Sequence, residues 1–246
     1  MKTLLIIFVF FLLFSTLVLS TTLDVGVSED VSIKIINENL NISNNVVKFS
    51  TEFYNIGSVG YKGRARLFVY NGTNLISDGW SEEKSLMPGE KKTFDIYWYA
   101  KYSGNYEYVL RMYYGNEILE NDKKELKINE THKPEDIFEI TNYRTYDDHI
   151  IFDLKSKEDA RDIVIIPYRY VTGWIFEQKA IPNMEKDSVK AVSLNYIPLI
   201  WAPANLTLAV ASDNGKYYSE SNIRMDKLSG LIGLIYSIYD RLRRPI

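Results

Sequence analysis

There is no cysteine in the 246-residue chain, and there are only two histidines, His132 and His149. The first absence excludes disulfide frameworks, thiolate metal sites, iron–sulfur clusters and cysteine nucleophiles. The second leaves little for imidazole ligation or acid/base work. An excess of positive charge is also missing: the formal net charge is −3, so the clustered Lys/Arg surplus that binds phosphate backbones is absent and no nucleic acid partner is expected. No nucleophile elbow, phosphate-cradling glycine loop or calcium-loop spacing occurs, and no carboxylate pair stands in a recognisable context. The chain is therefore expected to be non-catalytic and to carry no cofactor and no metal. What is present is ordinary globular composition, 46% apolar and 25% charged. Aromatics reach 14%, led by 19 Tyr, and flat rings pack well on a pleated surface, which points to strands.

Residues 1–20 read as a secretory signal peptide or an amino-terminal membrane anchor. Lys2 precedes an uncharged apolar run over residues 4–19, with small residues at its end. Cleavage is expected after Ser20, with Val18 at the −3 position. The run is slightly shorter than a bilayer span of roughly 17 to 25 residues. Either reading exports the rest of the chain. The exported part is long enough for two domains of about 100 residues each, and without cysteine both must be held by core burial.

Over residues 23–128 apolar and polar side chains alternate in short runs, 46–54, 65–70, 93–99 and 106–112 among them. Between the runs lie the turn signals Asn55-Ile56-Gly57, Asn71-Gly72, Pro88-Gly89, Ser103-Gly104 and Gly115-Asn116. Asn71-Gly72 is the sharpest, a type I′ hairpin with positive φ expected at both central positions. A charged stretch ending at Pro134 separates this half from a second set of seven runs between residues 137 and 220, with another hairpin signal at Asp213-Asn214-Gly215. The expectation is an all-β chain of two tandem immunoglobulin-like antiparallel β-sandwiches, over residues 21–130 and 137–226, joined by a linker at 131–136. The two halves share an architecture, not a sequence repeat.

The order of features in the first half resembles a known family. Asn55-Ile56-Gly57 follows a strand, Gly72 sits in a hairpin, and Leu86-Met87-Pro88-Gly89-Glu90 precedes a strand carrying Trp98. Gly104-Asn105-Tyr106 and Glu120 come in the strands after it. This pattern is similar to the CARDB-type immunoglobulin-like domain, found in bacterial surface adhesion proteins and archaeal S-layer-associated proteins. The resemblance implies an extracellular, non-catalytic spacer or interaction module. Physics accounts for the same residues without a ligand, since Asn-x-Gly and Pro-Gly supply turns and Trp98 is placed to be a large core residue.

Candidate sites are few. Asp147-Asp148-His149 with Asp153 is a local acid-plus-His group, read as a polar turn opening a strand. Ser28-Glu29-Asp30 and Asn37-Glu38-Asn39 read as solvated loops. Four N-glycosylation sequons start at Asn41, Asn71, Asn129 and Asn205, a mild excess over chance for this composition. Exposed aromatics are the candidate contacts for a sugar or a partner: Trp80 in the polar stretch Asp78-Gly79-Trp80-Ser81-Glu82, and Tyr168, Tyr170 and Trp174 around Gly173. If Trp80 binds sugar, Trp80→Ala should abolish polysaccharide retention without lowering the melting temperature. Residues 227–246 follow a helical period, with Leu231, Ile235 and Ile238 on the apolar face and Arg241, Arg243 and Arg244 at the end. About 12 helical residues span about 18 Å, too short to cross a bilayer, so the segment is expected to lie on a membrane surface or dock on a partner. Together these features point to a cell-surface or secreted structural or adhesive module that binds an envelope protein or glycan, with a carbohydrate-binding module as the alternative and a hidden hydrolase third.

Overall fold

The computed structural model describes residues 30–168, 174–198, 204–212 and 215–225. Among them every regular element is a strand and none is a helix. The expected signal or anchor segment, the expected carboxyl-terminal helix and Tyr170 lie outside the described residues.

Two antiparallel sheets enclose the first core. One has the order β1-β2-β6, from β1(Ile33–Ser43), β2(Val46–Asn55) and β6(Lys91–Tyr99). The other has the order β4-β3-β7-β8, from β4(Asn74–Trp80), β3(Tyr61–Asn71), β7(Gly104–Tyr114) and β8(Glu117–Glu120). Short β5(Lys84–Leu86) pairs with β3, and β9(Lys124–Ile128) with β7. The period-two runs put Val47, Phe49 and Phe53 of β2 on the same core as Tyr108, Leu110 and Met112 of β7 in the facing sheet. Edge-to-face ring pairs interlock the two faces: Phe49 with Tyr108 and Trp98 with Tyr106, both with centroids 4.9 Å apart.

Asn55, the first residue of the Asn-x-Gly signal, does more than supply a turn. Its side chain is fully buried. Nδ2 lies within hydrogen-bond reach of the Val59 and Leu86 carbonyls and the Tyr114 hydroxyl, while Oδ1 accepts from the Gly57 N–H at 2.9 Å. One amide thus ties together the 57–59 turn, the Leu86 carbonyl and the Tyr114 hydroxyl.

Two local expectations need correction. Asn37-Glu38-Asn39 is not a loop but the middle of β1, paired to β2 through Asn37↔Glu52 and Asn39↔Ser50, with a bulge after Ile35. An edge strand takes its hydrogen bonds from one neighbour and buries few side chains, so it shows no alternation to read. The hairpin at Asn71 pairs Asn71 with Asn74, which makes Gly72 and Thr73 the central residues; only Gly72 has positive φ, so the turn is not the I′ form.

The second sandwich packs the sheet β10-β11-β15-β13 against β14-β12-β16-β17. The first comprises β10(Phe138–Thr145), β11(His149–Ser156), β15(Val189–Pro198) and β13(Trp174–Phe176), and the second β14(Lys179–Met184), β12(Ala160–Tyr168), β16(Ala204–Ser212) and β17(Tyr218–Met225). β12 is buried on both faces. Ile163 and Ile165 enter the second core, whereas Val164 and Ile166 join Val46, Tyr97 and Tyr99 of the first sandwich, together with Ala209 and Ala211 of β16. The unbroken apolar run of β12 thus records contact with a second layer, as in strands covered on both sides.

A short segment after β13 closes a seam of the first sandwich. Tyr97 lies on edge strand β6 and Trp80 on edge strand β4. The Gln178 side chain accepts from the Tyr97 N–H at 2.6 Å and donates from Nε2 to the Tyr97 carbonyl at 2.8 Å, as a neighbouring strand would. Its own N–H donates to the Trp80 carbonyl at 3.2 Å, and Glu177 bridges Trp80 in parallel. Gly79 permits this approach, because a Cβ there would stand 2.8 Å from Gln178 Nε2. Beside it Arg64 pairs with Glu83 at 3.0 Å and Glu177 at 3.4 Å. At the other end, the buried Asn45 side chain accepts from the His132 N–H at 2.7 Å and donates to the His132 carbonyl at 2.9 Å. Glu135 bridges Tyr217. Residues 131–136, expected as a linker, are thereby pinned to both sandwiches.

Candidate binding cleft

The aromatic candidates separate sharply. Trp80 is only 5% exposed, which overturns its reading as an exposed contact. Its ring packs on Tyr113 at 5.1 Å and under the Arg66 guanidinium at 4.6 Å, and Glu177 crosses its backbone. Trp174 is 1% exposed, inside the second core between Phe176 and Tyr196 at 5.8 and 5.3 Å, and is likewise no surface contact. For Trp80 the polar neighbours in sequence misled: the sheet sends alternate side chains to opposite faces, and here a second layer covers the outer one; Trp174, chosen for its place beside Gly173, points into the second core instead. Tyr168 is half-buried at the sandwich interface.

The four sequon asparagines, Asn41, Asn71, Asn129 and Asn205, are all exposed. His149 Nδ1 lies 2.5 Å from the Asp148 carboxylate and its ring stacks on Tyr146 at 4.5 Å, while Asp153 accepts from Asn142 at 2.9 Å. Among the described residues no group of three or more His, Asp or Glu is placed to hold a metal ion.

A cleft of about 610 Å³ lies between the sandwiches. One side comes from the first sandwich, with Leu75, Ile76 and Asp78 of β4 and the β6–β7 connection carrying Lys101 and Tyr102; the other comes from Ile166, Tyr168, Ala209 and Tyr218. Asn71 stands at its rim. Its floor is a tyrosine stack: Tyr99 lies on Tyr218 with centroids 3.8 Å apart, and the Tyr168 and Tyr218 hydroxyls are 3.1 Å from one another. Such a ring pair contributes about 0.5–1.5 kcal/mol beyond its buried area. Lys101 joins the two halves. It pairs with Glu220, donates to the Tyr168 hydroxyl at 3.3 Å and sits over the Tyr168 and Tyr218 rings at 5.3 and 5.8 Å.

The charges in this cluster are mutually satisfied. Burial works against the Glu220 carboxylate, but bonds from Lys101, Tyr168 and Tyr218 outweigh it and hold the carboxyl below its usual range. Burial likewise opposes the Lys101 ammonium, and the bonds to Glu220 and Tyr168 hold it above the usual range. Burial pushes the Tyr99, Tyr168 and Tyr218 phenols up, Tyr218 furthest, because it is deeply buried and also donates a hydrogen bond to Glu220. All three are therefore neutral hydroxyls at pH 7, set beside an internally neutralised ion pair. The arrangement suits non-covalent binding of an amphiphilic surface. Tyr99, Lys101, Tyr102, Tyr218 and Glu220 were missed from sequence because the first three and the last two come from segments 119 positions apart, as between Lys101 and Glu220. The only local signal was Lys101-Tyr102 in a turn after a strand.

No protein-family model matches the chain, and no curated protein matches it. Among solved structures it is similar to a red sea bream transglutaminase, with 7% identity and a TM-score of 0.29 over 81% of this chain. It is also similar to the class 5 fimbriae chaperone CfaA, with 8% identity and a TM-score of 0.31 over 80% of this chain and all of the chaperone. The chain spans about a third, 32%, of the transglutaminase. At these TM-scores neither likeness bears on what this chain does.

Proposed function

We propose that the chain is an exported, non-catalytic module of the cell surface or the secreted fraction, made of two immunoglobulin-like sandwiches that present the cleft between them to an envelope partner. One observation carries the reading: the cleft exists only because Gln178, Asn45 and the shared apolar cluster hold the sandwiches together. Binding sites concentrate at such domain junctions, where two rigid walls can be set at a defined separation. The apolar amino-terminal run, the lack of cysteine and the CARDB-like order of turns support export and a non-catalytic role. The test is co-sedimentation of the purified protein with isolated cell envelopes. Tyr102→Ala and Ile76→Glu change exposed cleft residues without touching the core, so both variants should melt like the parent and lose sedimentation. Sedimentation equal to the parent would refute the cleft as the contact site.

A further inference from the structure

We infer that the cleft takes a neutral oligosaccharide, an assignment that rests on reading the cleft as the binding site. Its volume of about 610 Å³ lies within the roughly 300–1,000 Å³ of small-molecule sites. Charge sets the first constraint. Lys101 is paired with Glu220 and Arg66 with Asp78, so a phosphate, carboxylate or metal ion entering the cleft would meet no uncompensated opposite charge and would lose its hydration. An uncharged ligand avoids that cost.

The surface offered to such a ligand has two characters. Tyr102, 74% exposed, and the half-exposed Leu75 and Ile76 provide apolar area at the mouth, where lone exposed rings serve as platforms. The weakly positive C–H face of a sugar ring packs on the negative face of an aromatic ring, as a cation does more strongly. The Tyr168 and Tyr218 hydroxyls and the Asp78 carboxylate line the same cleft with acceptor lone pairs, and the Asn71 amide can both donate and accept. Alternating apolar faces and hydroxyls are the chemistry of a saccharide chain.

An extended peptide laid along the edge of β4 is the competing occupant. The β4 ladder is unsuited to it: the pairing with β3 shifts register between Ser77 and Leu75, and the far end at Trp80 is already bridged by Glu177. Few consecutive edge N–H and C=O groups are left in register for strand addition.

The experiment uses the full chain produced without glycosylation, so that Asn71 keeps its free amide. Maltotriose, cellotriose, mannotriose and tri-N-acetylchitotriose are titrated by calorimetry. At least one should bind in the millimolar range or tighter, and Tyr102→Ala should weaken it about ten-fold while the melting temperature stays unchanged. Binding of none of the four overturns the saccharide assignment. In parallel, envelopes are treated with periodate or with protease before co-sedimentation. Loss after periodate alone supports a saccharide; loss after protease alone overturns it in favour of a peptide while leaving the cleft as the binding site. Sedimentation insensitive to Tyr102→Ala overturns both.

Discussion

Replacing Gln178 with alanine removes the one side chain that completes the hydrogen bonding of Tyr97 on the exposed edge of the three-stranded sheet. Both the N–H and the C=O of Tyr97 lose their partner, and Tyr97 lies in the buried apolar cluster between the sandwiches. Each buried backbone group left unsatisfied costs about 1–3 kcal/mol, and water entering the space of the deleted amide recovers part of that, so the net loss should be about 3 kcal/mol. For a chain of this size that is a fall of about 6–12 °C in melting temperature. Differential scanning calorimetry measures it directly. Gln178→Glu sharpens the test: the carboxylate still accepts from the Tyr97 N–H but faces the Tyr97 carbonyl with a second acceptor. The glutamate variant should therefore be less stable at pH 7 than at pH 4, where the protonated acid can donate. An alanine variant melting within about 1 °C of the parent would refute the role of Gln178 in closing the seam. So would a glutamate variant with no such pH dependence.

Trp80→Ala should lower stability by about 3–5 kcal/mol, because a large buried ring is removed from beneath Arg66 and beside Tyr113; thermal melting checks it. Gly72 and Gly215 both have positive φ, +59° and +68°, but only at Gly215 does a Cβ meet the other sandwich, 2.7 Å from the Asn45 nitrogen. Gly72→Ala should cost about 1 kcal/mol and Gly215→Ala about 3 kcal/mol in chemical denaturation. Glu220 is held below its ordinary range in the folded chain, so its contribution is present above the usual carboxylate pKa and lost as pH falls through and below it. Glu220→Gln should flatten the acid limb of the stability curve, leaving parent and variant closest in stability at low pH. Lys101 acts with the opposite sign: its contribution is full below the usual lysine range and lost as pH rises above it.

The all-β character and most strand positions were legible along the chain. In β2 and β7 one face meets a core and the other meets solvent, and that difference writes a period of two directly into the residues. Trp98 was legible for the same reason. β1 was not, since an edge strand needs backbone partners more than core side chains, and its Asn- and Glu-rich segment looks like a loop. Asn55 was visible as a turn residue, but its role as a buried donor to three segments depends on Leu86 and Tyr114 arriving from elsewhere.

The candidate site was hardly legible at all. Trp80 drew notice because its neighbours are polar and Trp174 because it stands near Gly173 and two tyrosines, yet exposure depends on which face of a sheet a side chain takes and what covers it, and no local pattern carries that. Tyr168 was noticed and lies in the cleft; Tyr99, Lys101, Tyr218 and Glu220 were not, because their meaning comes from stacking and pairing across the two sandwiches. Composition and periodicity settle the all-β character of the described residues and the absence of cysteine chemistry, because those depend on residue type and spacing. Which surfaces are buried against each other, and where a cleft remains, depends on contacts between residues from 67 to 119 positions apart, and only the folded chain decides them.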